Sequence, residues 1–153
     1  MELTVKEVIF VADFEEQILR GHCELQPSAT TEWREEIVLD IHQSLKIEEV
    51  SIADCRLDFK IKMEGEWQKL VVSPESACQE IQLQIQFLVL PGSPALWWHP
   101  EDSLMVANQV STKTLLPWIC EHGGQSWDVR TPCKLTFFVP VGMTAVCCGN
   151  RIE

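Results

Sequence analysis

Glu80-Ile81-Gln82-Leu83-Gln84-Ile85-Gln86-Phe87-Leu88-Val89-Leu90 is the stretch whose reading decides the fold. Ile81, Leu83, Ile85 and Phe87 alternate with Gln82, Gln84 and Gln86. A strand sends successive side chains to opposite faces, so this period of two puts all four apolar residues on one side. A helix would bring Ile81 and Ile85 together but scatter Leu83 and Phe87. The segment is therefore predicted to be a strand, ended by Pro91-Gly92-Ser93-Pro94.

The same alternation recurs on both sides. Upstream, Leu57, Phe59, Ile61 and Met63 alternate with Asp58, Lys60 and Lys62, the pattern of a half-buried strand, and Gln68 to Val72 returns after Glu64-Gly65-Glu66. Glu36 to Ile41 places Ile37, Leu39 and Ile41 on one face. Leu45 to Ala53 changes phase at Glu48-Glu49, which suits a bulge. Val5 to Ala12 and Gln17 to Leu25 form a hairpin around the acidic turn Asp13-Phe14-Glu15-Glu16, with Gly21 inside the second strand. Ser73-Pro74-Glu75-Ser76 is a loop able to start a short helical turn. Downstream, Ala95 to His99 precedes the turn Pro100-Glu101-Asp102. No stretch sustains a helical period. Short strands with turn signals every ~8–12 residues predict an all-β fold of two sheets, a saddle or sandwich, with residues 1–153 as one domain.

The chain has 153 residues, enough to bury a real core. Its net charge of -11 opposes phosphate attraction, so nucleic acid is not an expected partner. Apolar runs such as Phe87 to Leu90 fall far short of a membrane span. Met1-Glu2-Leu3-Thr4-Val5-Lys6 lacks the basic-then-apolar order of a signal peptide, which predicts a cytoplasmic or nuclear protein. In that setting the seven cysteines do not form a disulfide framework, and Cys23, Cys55 and Cys78 read as small buried hydrophobes.

No residues make a convincing catalytic set. His22, His42, His99 and His122 stand apart, and His-Glu-x-x-His, Gly-x-Ser-x-Gly and the Walker loop are absent. His99 beside Glu101 and Asp102 reads as a solvated loop group. Cys120, His122 and Cys133 invite a zinc reading, but their spacing departs from the paired ligands of structural sites, and Cys147-Cys148 is adjacent; no metal site is expected. Trp97-Trp98 is more telling. On a strand, one indole enters the core while the other faces outward, either as a docking surface or under local loops.

Several segments, taken in order, resemble the N-terminal β-domain of the M1 zinc aminopeptidase family. Val8 to Gly21 is similar to its opening strand, turn and glycine-bearing strand; Ile37-Val38-Leu39-Asp40 and Leu45 to Val50 follow in the right order. Ala95-Leu96-Trp97-Trp98 with Pro100-Glu101 resembles a stretch of the leukotriene epoxide hydrolase and aminopeptidase B branch. Leu116-Pro117 through Cys120, then Thr131-Pro132-Cys133-Lys134-Leu135-Thr136, resemble the motifs that close the domain. Gln109-x-Ser111-Thr112-Lys113 and Met143-x-Ala145-Val146 are similar to the aminopeptidase-like subunit of the transcription factor TFIID, which lacks peptidase chemistry.

The resemblance implies a non-catalytic domain, aminopeptidase O-like, that packs on a catalytic domain and forms one wall of a peptide cleft, where acidic charge would attract a cationic N-terminus. Zinc is expected in that other domain, because the chain ends at Glu153, before the family's zinc helix. Expected substrate-binding positions are Asn108, Gln109 and Glu121, and the expected interaction surface is Trp97 and Trp98. Partners would be a protein or peptide, with no membrane. Two departures from the family pattern stand out, and the second counts against amine capture. Trp118 and Ile119 split the family's Pro-Cys pair, and the Gln-x-Glu pair is replaced by Val106 and Asn108, of which valine accepts no hydrogen bond and asparagine carries no charge. The alternatives are a TFIID-like interaction scaffold or a truncated product without peptidase activity.

Overall fold

The computed structural model describes residues 3–27, 36–53, 55–64, 67–73, 82–99, 104–107, 118–119 and 133–146. Within them the secondary structure is all β. The strands are β1 (Leu3–Asp13), β2 (Ile18–Pro27), β3 (Ile37–His42), β4 (Leu45–Ile52), β5 (Cys55–Arg56), β6 (Phe59–Glu64), β7 (Trp67–Val72), β8 (Leu83–Val89), β9 (Leu96–His99), β10 (Leu104–Ala107), β11 (Trp118–Ile119) and β12 (Lys134–Phe138). They build a six-stranded sheet ordered β12-β1-β2-β8-β4-β5, a four-stranded sheet ordered β11-β3-β7-β6, and a two-stranded ribbon of β9 and β10. Every pairing is antiparallel except that of β12, which runs parallel to β1.

The alternation read from sequence is the cause of the layering. β8 sits inside the six-stranded sheet and buries Leu83, Ile85, Phe87 and Val89 on one face. β3 buries Ile37, Leu39 and Ile41, as expected. These residues join Val8, Phe10, Leu19, Cys23, Leu25 and Val50 of the first sheet, and Leu70 and Val72 of the second, in one apolar cluster. Burial of such side chains is the main stabilising term, at about 25 cal/mol per Å² removed from water.

Two bulges keep the apolar residues facing inward. In β4 the register against β8 shifts between Ile47 and Glu49, at the predicted place, so Leu45 and Val50 both reach the core. A second shift, between Val5 and Glu7 of β1, lets the odd-numbered Leu3 and the even-numbered Val8, Phe10 and Ala12 share one face. The β1–β2 turn is closed by Asp13 Oδ1, which accepts from the amides of Glu15 (3.2 Å) and Glu16 (3.1 Å).

Some expectations are corrected. Cys23 is buried, but Cys55 is exposed, because β5 is a two-residue strand at the rim of the large sheet. The strand expected from Leu57 begins at Phe59, and its inward face is covered only at its start: Ile61 is 40% exposed and Met63 65%. β6 lies at the end of its sheet, so those two side chains run past the edge of the core. Cys78 and the loop at Pro74-Glu75-Ser76 lie outside the described residues.

Candidate interaction surface

The β9–β10 ribbon is held to the body by its first residues. Ala95 and Leu96 are buried, and the turn before them is tied by hydrogen bonds from the Ser93 amide to the Leu90 carbonyl (3.2 Å) and from the Leu96 amide to the Ser93 carbonyl (3.1 Å). Strand alternation then separates the two indoles. Trp98, opposite Met105, turns inward and packs with it against the core, and its ring meets Phe14 edge-on at 5.2 Å and 89°. Trp97, opposite Val106 in the ribbon, turns outward and is 51% exposed.

Trp98 also carries a buried donor. Its Nε1 is shielded from solvent and has no acceptor among the described residues. Phe14 was not singled out in the sequence. Its signal was present: a lone aromatic among Asp13, Glu15 and Glu16 in a tight turn has no reason to be there unless it packs on something.

The other site-like feature is a cavity of about 460 Å³ between the β3–β4 and β8–β9 turns, lined by His42, Ser44, Pro91 and Pro94 among others. His42 Nδ1 lies 2.8 Å from Ser44 Oγ and accepts from the Ser44 amide at 3.2 Å. Ser44 Oγ in turn lies 3.2 Å from the buried Ser93 Oγ, which accepts from the Ala95 amide. The ring of His42 also packs edge-on against Trp67 at 5.4 Å. A serine and a histidine in contact invite a nucleophile reading. Here the same Nδ1 is engaged by a backbone amide within a two-residue turn, so the chain of hydroxyls pins two turns together. No signal in sequence links Ser44 to Ser93, which are 49 residues apart.

Among the other predicted positions, Asn108, Gln109 and Glu121 lie outside the described residues, as do Cys120, His122, Glu101 and Asp102; of Val106 only the backbone is described. Cys133 is exposed just ahead of β12. Among the described residues no three His, Cys, Asp or Glu side chains gather closely enough to hold a metal ion. Burial alone pushes the Cys23 thiol up to about 12, which keeps it protonated and unreactive. No helix among the described residues is long and apolar enough to cross a membrane.

These features define an all-β domain with an anchored aromatic ribbon and no assembled catalytic group among the described residues. No family model and no curated protein sequence matches the chain. Solved structures do. Native yeast LTA4 hydrolase is similar over 76% of this chain, at 21% identity and a TM-score of 0.59. A second structure of that enzyme, native leukotriene A4 hydrolase from Saccharomyces cerevisiae, is similar over 63% of this chain at 24% identity and a TM-score of 0.50. The matched region is only 20% and 16% of those chains. The fold is thus shared with part of yeast LTA4 hydrolase, and it is the all-β architecture of two sheets expected from the sequence.

Proposed function

We propose that residues 1–153 form one non-catalytic β-domain of M1 aminopeptidase type, which packs against a zinc-bearing catalytic domain and lines its peptide cleft. The observation that carries this reading is the shared fold: 76% of this chain corresponds to 20% of yeast LTA4 hydrolase. The aromatic ribbon adds to it. Trp97 offers a large outward apolar surface. Zinc and the groups that activate water belong to the partner domain, and the acidic charge of this chain draws a cationic peptide N-terminus towards the cleft. Asn108, Gln109 and Glu121 are the positions assigned to that peptide, in a cytoplasmic or nuclear protein.

The test mixes this chain with a catalytic domain of the leukotriene hydrolase branch stripped of its own β-domain, and follows complex formation by sedimentation. Association that weakens at least tenfold with Trp97→Ala is expected; no association, or association indifferent to Trp97, contradicts the reading. A second reading, an interaction scaffold resembling the TFIID subunit, draws on the same exposed Trp97. It predicts capture of partners other than a zinc domain through the same residue.

A further inference from the structure

The outer edge of β6, the last described strand of the four-stranded sheet, is independent of the ribbon and of the reading above. β6 pairs with β7 on one side, and no described strand lies on the other. Three features of this edge point the same way. Among the described residues the outer backbone edge has no strand paired to it. Its inward-phase side chains, Ile61 and Met63, are 40% and 65% exposed instead of covered by the large sheet. On its opposite face Lys60 and Lys62 are exposed, and neither has an ion-pair partner among the described residues, although the protein carries a net charge of -11. The neighbouring Lys69, opposite Lys62 on β7, is already matched by Asp40.

We propose that the β6 edge is a strand-addition site for an extended peptide segment that alternates acidic and apolar residues. In a sheet, directly opposed side chains share a face and interact. A segment Val-Glu-Val-Glu-Val laid antiparallel to β6 places its two glutamates against Lys62 and Lys60, and its valines against Met63, Ile61 and Phe59. Both the backbone edge and the two faces are then satisfied together. Asp58, exposed and two residues ahead of Lys60, limits the cationic row to those two lysines.

A second copy of this chain fits the edge less well than such a peptide. Antiparallel self-pairing registers that overlap most of β6 are centred on Ile61 or on Lys62. The first opposes Lys60 to Lys62 twice; the second sets Lys62 against itself while opposing Lys60 to the Glu64 position twice. An acidic strand opposes a carboxylate to each lysine, whereas either self-pairing register sets lysine against lysine at least once, so the edge favours the acidic strand.

The test titrates the full chain with acetylated, amidated Val-Glu-Val-Glu-Val and with its Val-Lys-Val-Lys-Val counterpart, reading affinity and amide hydrogen exchange together. The acidic peptide is expected to bind at least tenfold more tightly at low salt and to protect amides of β6. The exposed double variant Lys60→Glu/Lys62→Glu should reverse the preference. Equal affinity for both peptides, protection confined to another edge, or concentration-dependent dimerisation through β6 would overturn the proposal. Exchange on the wild-type chain alone decides the location of binding if the variant expresses poorly.

Discussion

Phe87 of β8 lies over Gly21 of β2, its cross-strand partner, and takes the space a side chain there would need. A Cβ on Gly21 would stand 2.2 Å from Phe87 Cζ and 2.4 Å from Cε2. Phe10, opposite Gly21 on its other side, meets Phe87 edge-on at 6.2 Å and stacks on Phe137 at 5.3 Å. The glycine is thus the gap in a row of rings that runs from β12 to β8. Backbone propensity alone would make Gly21→Ala stabilising by about 0.5–1 kcal/mol. Overpacking reverses the sign, and a loss of about 2–3 kcal/mol is expected in urea unfolding. Combining it with Phe87→Leu should recover part of that loss, since the clash lies with the ring; strict additivity of the two changes would contradict this account.

The buried Cys23 thiol sets an alkaline limit on stability. Desolvation raises its pKa from 9.0 to about 12 in the folded chain. Between those values the unfolded chain releases a proton that the native chain retains. The stabilising contribution is therefore complete below about pH 9 and is lost as pH rises towards 12, by roughly 1.4 kcal/mol per pH unit. Cys23→Ala lacks this slope, so the stability difference between the two proteins should shrink between pH 9 and 11. A difference that is flat with pH would mean that the thiolate is accommodated.

Thiol labelling of the native chain at pH 8 tests the same burial another way. Cys55 and Cys133 are exposed and should be modified at once, whereas Cys23 should react only when the chain unfolds. Peptide mapping after a short pulse of alkylating reagent distinguishes them.

Ala53 has a positive φ of 46°, a left-handed conformation unfavourable for an L side chain. Ala53→Gly should raise stability by up to about 1 kcal/mol, read as a higher urea midpoint at unchanged slope. No gain would mean that the methyl makes compensating contacts.

The two indoles should separate by experiment. Trp98→Ala removes an inward ring and its contact with Phe14, and a loss of about 2–3 kcal/mol of stability is expected. Trp97→Ala should leave stability within about 0.5 kcal/mol, because its ring is half exposed.

Much of this fold was readable because the chain obeys a period of two. The strands containing Leu83 to Val89, Ile37 to Ile41 and the β1–β2 hairpin follow directly from it. The Glu48-Glu49 phase break foretold one bulge, but that in β1 was hidden, since Val5 and Val8 look alike in either phase. Met63 was misjudged because alternation tells which face a side chain takes, not whether a second layer extends far enough to cover it, and Cys55 because the general habit of free cysteine to be buried carries no information about a strand at a sheet rim. The split of Trp97 from Trp98 was legible for the same reason that it is real, whereas the contact with Phe14 joins segments more than eighty residues apart and no local pattern encodes it. The parallel docking of β12 on β1, with Lys134 2.6 Å from Glu7, is likewise a long-range pairing invisible to period.

The most direct test of the central claim, that this chain supplies a scaffold while hydrolysis resides in a separate zinc domain, is an aminopeptidase assay on the purified 153-residue chain with added zinc. The account predicts no release of amino acid from peptide amides above the buffer rate. Turnover that is abolished by a chelator and restored by zinc would contradict it.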